Sequence, residues 1–190
     1  IRNALAAGLG ISVNTPLCSV NADYLETLRF LYGLGVRFVT VSGLIVTGNA
    51  RSIGSRASTL TEKMLTQILK EACDFVYAHD MELNFTSPGL VDSGTLRDLA
   101  LDVPGCGAAL SNMAIAPNGD LVPCQSWLSD RPLGNMLQDP WKKIWNAPRT
   151  RQIRTHSAKN SLFCPLSQRE GDEPDENVDS EYVRARSESV

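Results

Sequence analysis

The chemistry this sequence offers is carried by thiols. Of its five cysteines, Cys106 and Cys124 are separated by 17 residues, and Cys164 follows after a further 39. Thiolates are soft ligands that suit iron–sulfur clusters or zinc, and a hairpin between the first two is a good way to bring them to one metal. Spacing alone leaves open the alternative that all three are small buried hydrophobes. Cys73 belongs to that second class, because it falls on the apolar stripe of a helix. Cys18, at a strand end, fits either. An odd number of cysteines at these spacings is unlike a secreted disulfide scaffold, so reduced thiols are expected. Of the two histidines, His79 sits where a helix C-terminus favours a cation, and His156, in a polar stretch eight residues before Cys164, is a distant candidate for a further ligand.

The elements that must position these groups fall into two kinds. Gly10 to Leu17 reads as a short apolar strand, and Asn21 opens a segment in which Tyr24, Leu25, Leu28, Leu31 and Tyr32 repeat at helical spacing. Gly33 and Gly35 end that helix, and Val36 to Val41 is rich in the β-branched and aromatic residues of a buried strand. A loop follows from Ser42 to Ser58, with Gly43, Gly48 and Gly54. Thr59 and Glu62 have capping-box spacing, and Met64, Leu65, Ile68, Leu69, Ala72, Cys73 and Val76 form one helical stripe. Met81 to Phe85 is a third strand, closed by Ser87, Pro88 and Gly89. Strands alternating with helices predict crossover units and a parallel sheet with both faces covered, a fraction of a barrel or open sheet.

From Leu90 the pattern changes. A short helical turn is all that is expected before Gly105. Met113 to Pro117 and Asp120 to Cys124 then flank Asn118-Gly119, a strong signal for a two-residue hairpin. Asp139 is placed to cap a helix with Pro140 in its first turn, and Trp141, Ile144 and Trp145 share a face. With Trp127, the tryptophans read as packing anchors. The expected organisation is therefore a partial α/β barrel over residues 1–103, a small α+β cysteine-bearing extension over 104–168, and an acidic tail over 169–190 with the composition of a disordered segment.

Composition narrows the classes. The 190 residues are 43% hydrophobic, enough for a sizeable core, and no apolar run approaches a membrane span of about 18 residues. The first residues lack a basic region and a cleavage site, so a cytoplasmic location is expected. Net charge is −3, and from Arg169 onward there are eight acidic and three basic residues, leaving residues 1–168 at 15 − 13 = +2. Spread over that length, this charge does not call for nucleic acid.

The residues around the cysteines carry a further signal. Gly105-Cys106-Gly107-Ala108-Ala109, then Ile115 through Cys124 as Ile-Ala-Pro-Asn-Gly-Asp-Leu-Val-Pro-Cys, then Leu133-Gly134-Asn135-Met136, Trp141-Lys142-Lys143-Ile144-Trp145 and Cys164-Pro165 resemble, in order, the SPASM extension of radical SAM enzymes. The likeness covers about Pro104 to Pro165. A weaker one reaches back over Leu5 to Gly89, where Ala7-Gly8-Leu9-Gly10-Ile11, Asn21, Leu34-Gly35-Val36 and Thr47-Gly48 look like the later strands and helices of the radical SAM barrel.

That resemblance implies a peptide or protein maturase. A 4Fe–4S cluster cleaves S-adenosylmethionine to a 5′-deoxyadenosyl radical, and the extension holds auxiliary 4Fe–4S clusters. It implies Cys106 and Cys124 as early ligands of the first auxiliary cluster and Cys164 as the start of the second set. It also implies nucleotide contacts near Ser12, Asn14, Gly43 and Ile45, at strand ends where barrels place ligands. For these, the plainer alternative is that Ser12 and Asn14 satisfy local backbone and that the glycines mark turns.

Two departures matter. The Cys-x3-Cys-x2-Cys loop that binds the radical-generating cluster is absent, since no two cysteines lie closer than 18 positions. Ser167 stands where a further thiolate is expected, so the three cysteines cannot complete a four-thiolate cluster. The expectation is a portion of such an enzyme that is not catalytic alone, with the missing barrel half as partner and self-association across an unpaired strand edge. A metal-free scaffold or peptide-binding module, and a zinc-stabilised structural module, are the competing expectations.

Overall fold

The computed structural model describes residues 1–45, 59–127, 131–159, 161, 162 and 164. Thr47, Gly48 and Gly54 of the long loop, Pro165, Ser167 and the acidic tail lie outside the described residues. The chain is a mixed α/β structure with two three-stranded sheets, and among the described residues neither sheet closes into a barrel.

A short helix α1 (Arg2–Ala6) leads into β1 (Ser12–Leu17), and α2 (Tyr24–Gly33) connects it to β2 (Phe38–Gly43). Helix α3 (Glu62–Ala78) and β3 (Glu82–Phe85) follow. The strands are parallel in the order β1-β2-β3, with Asn14 opposite Thr40 and Thr40 opposite Asn84. The alternation expected from sequence is present, and its physical basis is visible. Leu28 and Leu31 of α2, Leu65, Leu69, Ala72, Cys73 and Val76 of α3, and Leu17, Val39, Val41, Leu83 and Phe85 of the strands form one buried core. Gly35 takes a φ of +93° just past α2, where the Val36 N–H returns to the Leu31 carbonyl at 3.0 Å, a left-handed stop that a side chain would strain.

Two local expectations are corrected. The cap of α3 is Thr61, whose Oγ1 accepts the Met64 N–H at 3.3 Å; Thr59 lies two residues too early. Glu62 instead accepts the Asp92 N–H at 2.9 Å, tying α3 to α4 (Ser93–Asp98). The expectation of a sheet covered on both faces also fails. Its strands alternate strictly, and the helices cover only the apolar side. Ser12, Asn14, Phe38, Glu82, Asn84 and Thr86 are exposed on the other, with Thr40 and Ser42 half-buried beside them. A parallel sheet ordinarily hides both faces, so an open polar face is the feature of this unit most in need of a use.

The second region has its own small core of Ala108, Ala109, Val122, Trp127 and Ile153. Strands β4 (Ala114–Ile115), β5 (Asp120–Val122) and β6 (Gly134–Asn135) are antiparallel in that order. The third strand was not anticipated from sequence. Neither was α6 (Pro148–Lys159), which follows α5 (Trp141–Asn146) after a single residue. Its composition is almost wholly polar, and it buries only Thr150, Ile153 and Ser157. The positive charge is also less even than expected: residues 141–159 hold six lysines and arginines and no acidic residue. No helix among the described residues is long and apolar enough to cross a membrane.

Two substitutions test this core. Leu69 is fully buried, and Leu69→Ala should cost about 2–5 kcal/mol through lost burial and a residual cavity. Urea unfolding should show the midpoint falling at unchanged slope. Burial pushes the Tyr24 hydroxyl from 10.0 up to about 12, the Thr15 side chain opposing. A raised value means that the unfolded chain releases this proton first, so the contribution is intact below pH 10 and is lost as pH climbs toward 12. Tyr24→Phe should flatten that alkaline loss in unfolding curves measured between these limits.

Candidate metal centre

The extension is built around the loop that carries Cys106. The Gly107 carbonyl accepts the N–H groups of Leu110, Ser111 and Asn112 at 2.9, 2.9 and 3.0 Å, closing residues 107–112 into a tight knot. A Cβ on Gly107 would meet Ser111 Oγ at 2.0 Å, so a side chain there requires the exposed Ser111 hydroxyl to turn away. Ala109 is held at a φ of +55°, a conformation costing an ordinary residue roughly 1–2 kcal/mol. Its N–H is used twice, on the Asn112 carbonyl at 3.1 Å and on the Pro123 carbonyl at 2.9 Å. The latter bond joins the Cys106 loop to the residue immediately before Cys124.

Cys124 lies just beyond β5, and its carbonyl accepts the Trp127 N–H at 2.9 Å. The hairpin feeding it differs in detail from the expected two-residue bend. The Ala116 N–H bonds the Asp120 carbonyl at 2.8 Å, leaving three loop residues, with Gly119 at φ +88°. Asn118 does not take the positive φ that a two-residue Asn-Gly turn needs, because Pro117 favours the first corner of a type I turn followed by a left-handed glycine. Asn118 is used as a bracket instead. Its side chain donates to Asp120 Oδ2 at 2.7 Å and accepts the Asp120 N–H at 3.1 Å. Asn135 from β6 then donates to the Asn118 carbonyl and to Asp120 Oδ1, both at 3.0 Å. The Asn-Gly-Asp and Gly-Asn-Met motifs are thus two halves of one lock that fixes the strand leading to Cys124.

Asp139 closes the lock from the other side and does not cap α5, whose N-cap is Pro140. Asp139 Oδ2 accepts the Asn135 N–H at 3.1 Å and Oδ1 accepts Lys143 Nζ at 2.8 Å, which together hold its carboxyl below the usual carboxylate range. Of the tryptophans, Trp127 anchors the small core. Trp141 is exposed and lies against Trp145, itself covered by the Arg154 guanidinium at 3.9 Å.

Cys106 and Cys124 are both half-buried and pack against the same small core. The Cys106 N–H donates to the Ser161 carbonyl, which brings the chain after α6 alongside Cys106. Cys164 is buried and follows three residues later, a span of about 10 Å at full extension. Cys106 and Cys124 are not in a disulfide, and His156 lies half-buried on α6. Among the described residues no three histidine, cysteine or carboxylate side chains stand close enough to hold one ion. The donor chemistry of Cys106 and Cys124 suits a soft metal or an iron–sulfur cluster, which these two residues could hold in part; the described residues do not complete a set of four.

Residues 106–166 match the family model of SPASM, the iron–sulfur cluster-binding domain. The extension carries a SPASM-type domain. No curated protein matches the chain. The SPASM match spans the knot, the lock and both surface helices, and it ends just past Cys164.

The other expected residues are divided by the sheet. Ser12 and Asn14 lie on its open face, where Asn14 Oδ1 accepts the Thr40 hydroxyl at 3.0 Å. Gly43 lies on the covered face: its N–H donates to the buried Ser87 hydroxyl at 2.9 Å, and a Cβ there would overlap Leu90 Cδ1 at 2.2 Å. Ile45 is half-buried beyond the strand end. Thr40 and Asn84, in register with Asn14, were missed, although the alternation Val39-Thr40-Val41-Ser42 and Leu83-Asn84-Phe85-Thr86 was there to read. Cys73 is buried on α3, its thiol pushed up to about 11 by burial and by Asp74. Cys18 opens a 3-10 turn, donating its N–H to Asn21 Oδ1 at 2.7 Å.

Asn135→Ala should lose three side-chain hydrogen bonds, those to the Asn118 carbonyl and Asp120 Oδ1 and the one accepted from the Leu137 N–H, at a cost of about 1–3 kcal/mol. Differential scanning calorimetry should show the extension melting earlier, while Asn84→Ala, on the exposed sheet face, leaves that transition in place.

Proposed function

We propose that this chain is part of a radical SAM/SPASM enzyme that modifies a peptide or protein, with residues 104–168 holding an auxiliary iron–sulfur cluster beside the reaction chamber. The observation that carries this reading is the half-buried pair Cys106 and Cys124, pinned over one small core by the Ala109 to Pro123 bond, inside the segment matching the SPASM domain. When bound, the cluster would supply electron transfer or substrate positioning. Cys106 and Cys124 would hold it, with Cys164 contributing to the same or a second site. The knot and the lock are the contacts that would position Cys106 and Cys124.

Residues 1–103 serve in this reading as the later strands of the barrel. The parallel order β1-β2-β3 supports it, and so does the open face carrying Ser12, Asn14, Thr40 and Asn84, which suits a chamber wall. Ser12 and Asn14 are then the residues placed for the nucleotide of S-adenosylmethionine, and Gly43 contributes through packing. The radical itself would come from a Cys-x3-Cys-x2-Cys cluster supplied by the other part of the barrel. The reaction is cytoplasmic in this reading, where thiols stay reduced.

A second reading is a scaffold or peptide-binding module without metal, favoured by the absence of a three-ligand cluster among the described residues. Anaerobic reconstitution with iron and sulfide separates the two. The enzyme reading expects broad visible absorbance and bound iron that Cys106→Ala and Cys124→Ala abolish and Cys73→Ala leaves intact. A colourless, folded wild-type protein would favour the scaffold.

A further inference from the structure

Helix α6 presents one buried polar side chain to the metal-ligand loop. Its buried stripe is Thr150, Ile153 and Ser157, spaced so that all three fall on one side of the helix. Ile153 enters the small core, and one turn later Ser157, 1% exposed, arrives at the Cys106 loop. Its hydroxyl donates to the Ala108 carbonyl at 2.8 Å. The same oxygen lies 4.0 Å from Cys106 Sγ. A serine hydroxyl has one proton and two lone pairs, so with its proton on Ala108 it can still accept from the Cys106 thiol. The hydroxyl therefore touches both the backbone that shapes the loop and the sulfur that the loop carries.

Burying a lone hydroxyl between apolar neighbours costs free energy unless it is hydrogen-bonded, and alanine would fill most of the same space. The Ala108 bond alone satisfies this buried hydroxyl, so the contact with Cys106 Sγ is a second one that burial does not require. The sulfur contact changes sense when a metal binds. On binding a metal Cys106 would give up its proton and become an acceptor, and the Ser157 hydroxyl beside it carries a proton to donate. A small rotation about the serine side chain shares that proton between the Ala108 carbonyl and the thiolate.

Resting on the metal reading given above, we infer that Ser157 is a positioning residue for Cys106: it fixes the loop through Ala108 and supplies the hydroxyl donor to the Cys106 thiolate once that sulfur holds a metal. Outer-shell partners of this kind orient a ligand and tune its metal, and losing one typically weakens binding by about 10–100-fold.

The test uses the full reduced chain with cobalt(II) ion alone as probe, followed through its sulfur-to-metal charge-transfer absorbance. Ser157→Thr and Ser157→Val are matched in shape and differ in the hydroxyl. Ser157→Thr should bind within about threefold of wild type with the same band position, while Ser157→Val should bind about 10–100-fold more weakly with a shifted band. Circular dichroism checks that both variants are folded. Should the β-branched pair distort α6, Ser157→Ala repeats the comparison against wild type with a smaller side chain, and it should show the loss and the shift. A hydroxyl-free variant that is folded and binds cobalt with wild-type affinity and band position overturns the role of Ser157 alone. Wild-type protein that binds no cobalt and takes up no iron overturns the metal reading and this inference with it.

Discussion

The hydrogen bond from the Ala109 N–H to the Pro123 carbonyl is the constraint on which the extension turns. It is a direct backbone link between the loop that carries Cys106 and the residue that joins β5 to Cys124, and it forms with Ala109 at a left-handed φ of +55°. A strain of roughly 1–2 kcal/mol persists only where surrounding contacts over-determine it. Here they do: three N–H groups converge on the Gly107 carbonyl, Ala109 itself is fully buried, and Ser157 holds the neighbouring carbonyl from α6. Each is a modest interaction. Together they leave the loop one conformation, and that conformation sets where the first sulfur can be.

The second sulfur is positioned by a different device with the same logic. The Asn118, Asp120 and Asn135 side chains satisfy one another across three strands too short to hold register by ladder bonds alone. Gly119 sits where any side chain would strike Leu137 and Asn135, at 2.7 and 2.9 Å, so the turn admits no other residue without shifting the lock. Polar side chains thus do in this small unit what apolar burial does in the larger one. The distribution of buried residues shows why: the first region contributes most of the core, and the second only a handful of residues.

Much of the larger unit was legible because two periodicities coincide in it. Helical spacing over Leu65 to Val76 and β-branched runs at Val39 and Val41 each reflect burial against one core, and burial is what sequence patterns report. The polar face escaped notice for the same reason. Thr40 and Asn84 read as interruptions in apolar strands, and only the register shows that they lie in one row with Asn14. In the extension the cysteines and motifs could be read directly, while α6 could not, since a helix burying only Thr150, Ile153 and Ser157 has almost no apolar period to find. The three-residue turn was hidden because Asn-Gly suits two turn types, and the choice was made by Pro117.

The two units also explain why a structural zinc module is the weakest account of the thiols. A zinc-stabilised fold lacks enough core to stand without its metal, so ligand binding and folding are one event. This extension has a core of its own, with Trp127 and Ile153 buried in it, and Cys106 and Cys124 lie half-buried at the margin of that core. In the metal reading proposed above, a metal at that margin would meet ligands whose surroundings Ala109, Asn135 and Ser157 also hold. Binding energy that is not needed to fold the chain remains available for tuning the metal, through the hydroxyl and amide groups beside the sulfurs. An auxiliary electron carrier needs that property, and a purely structural ion has no use for it.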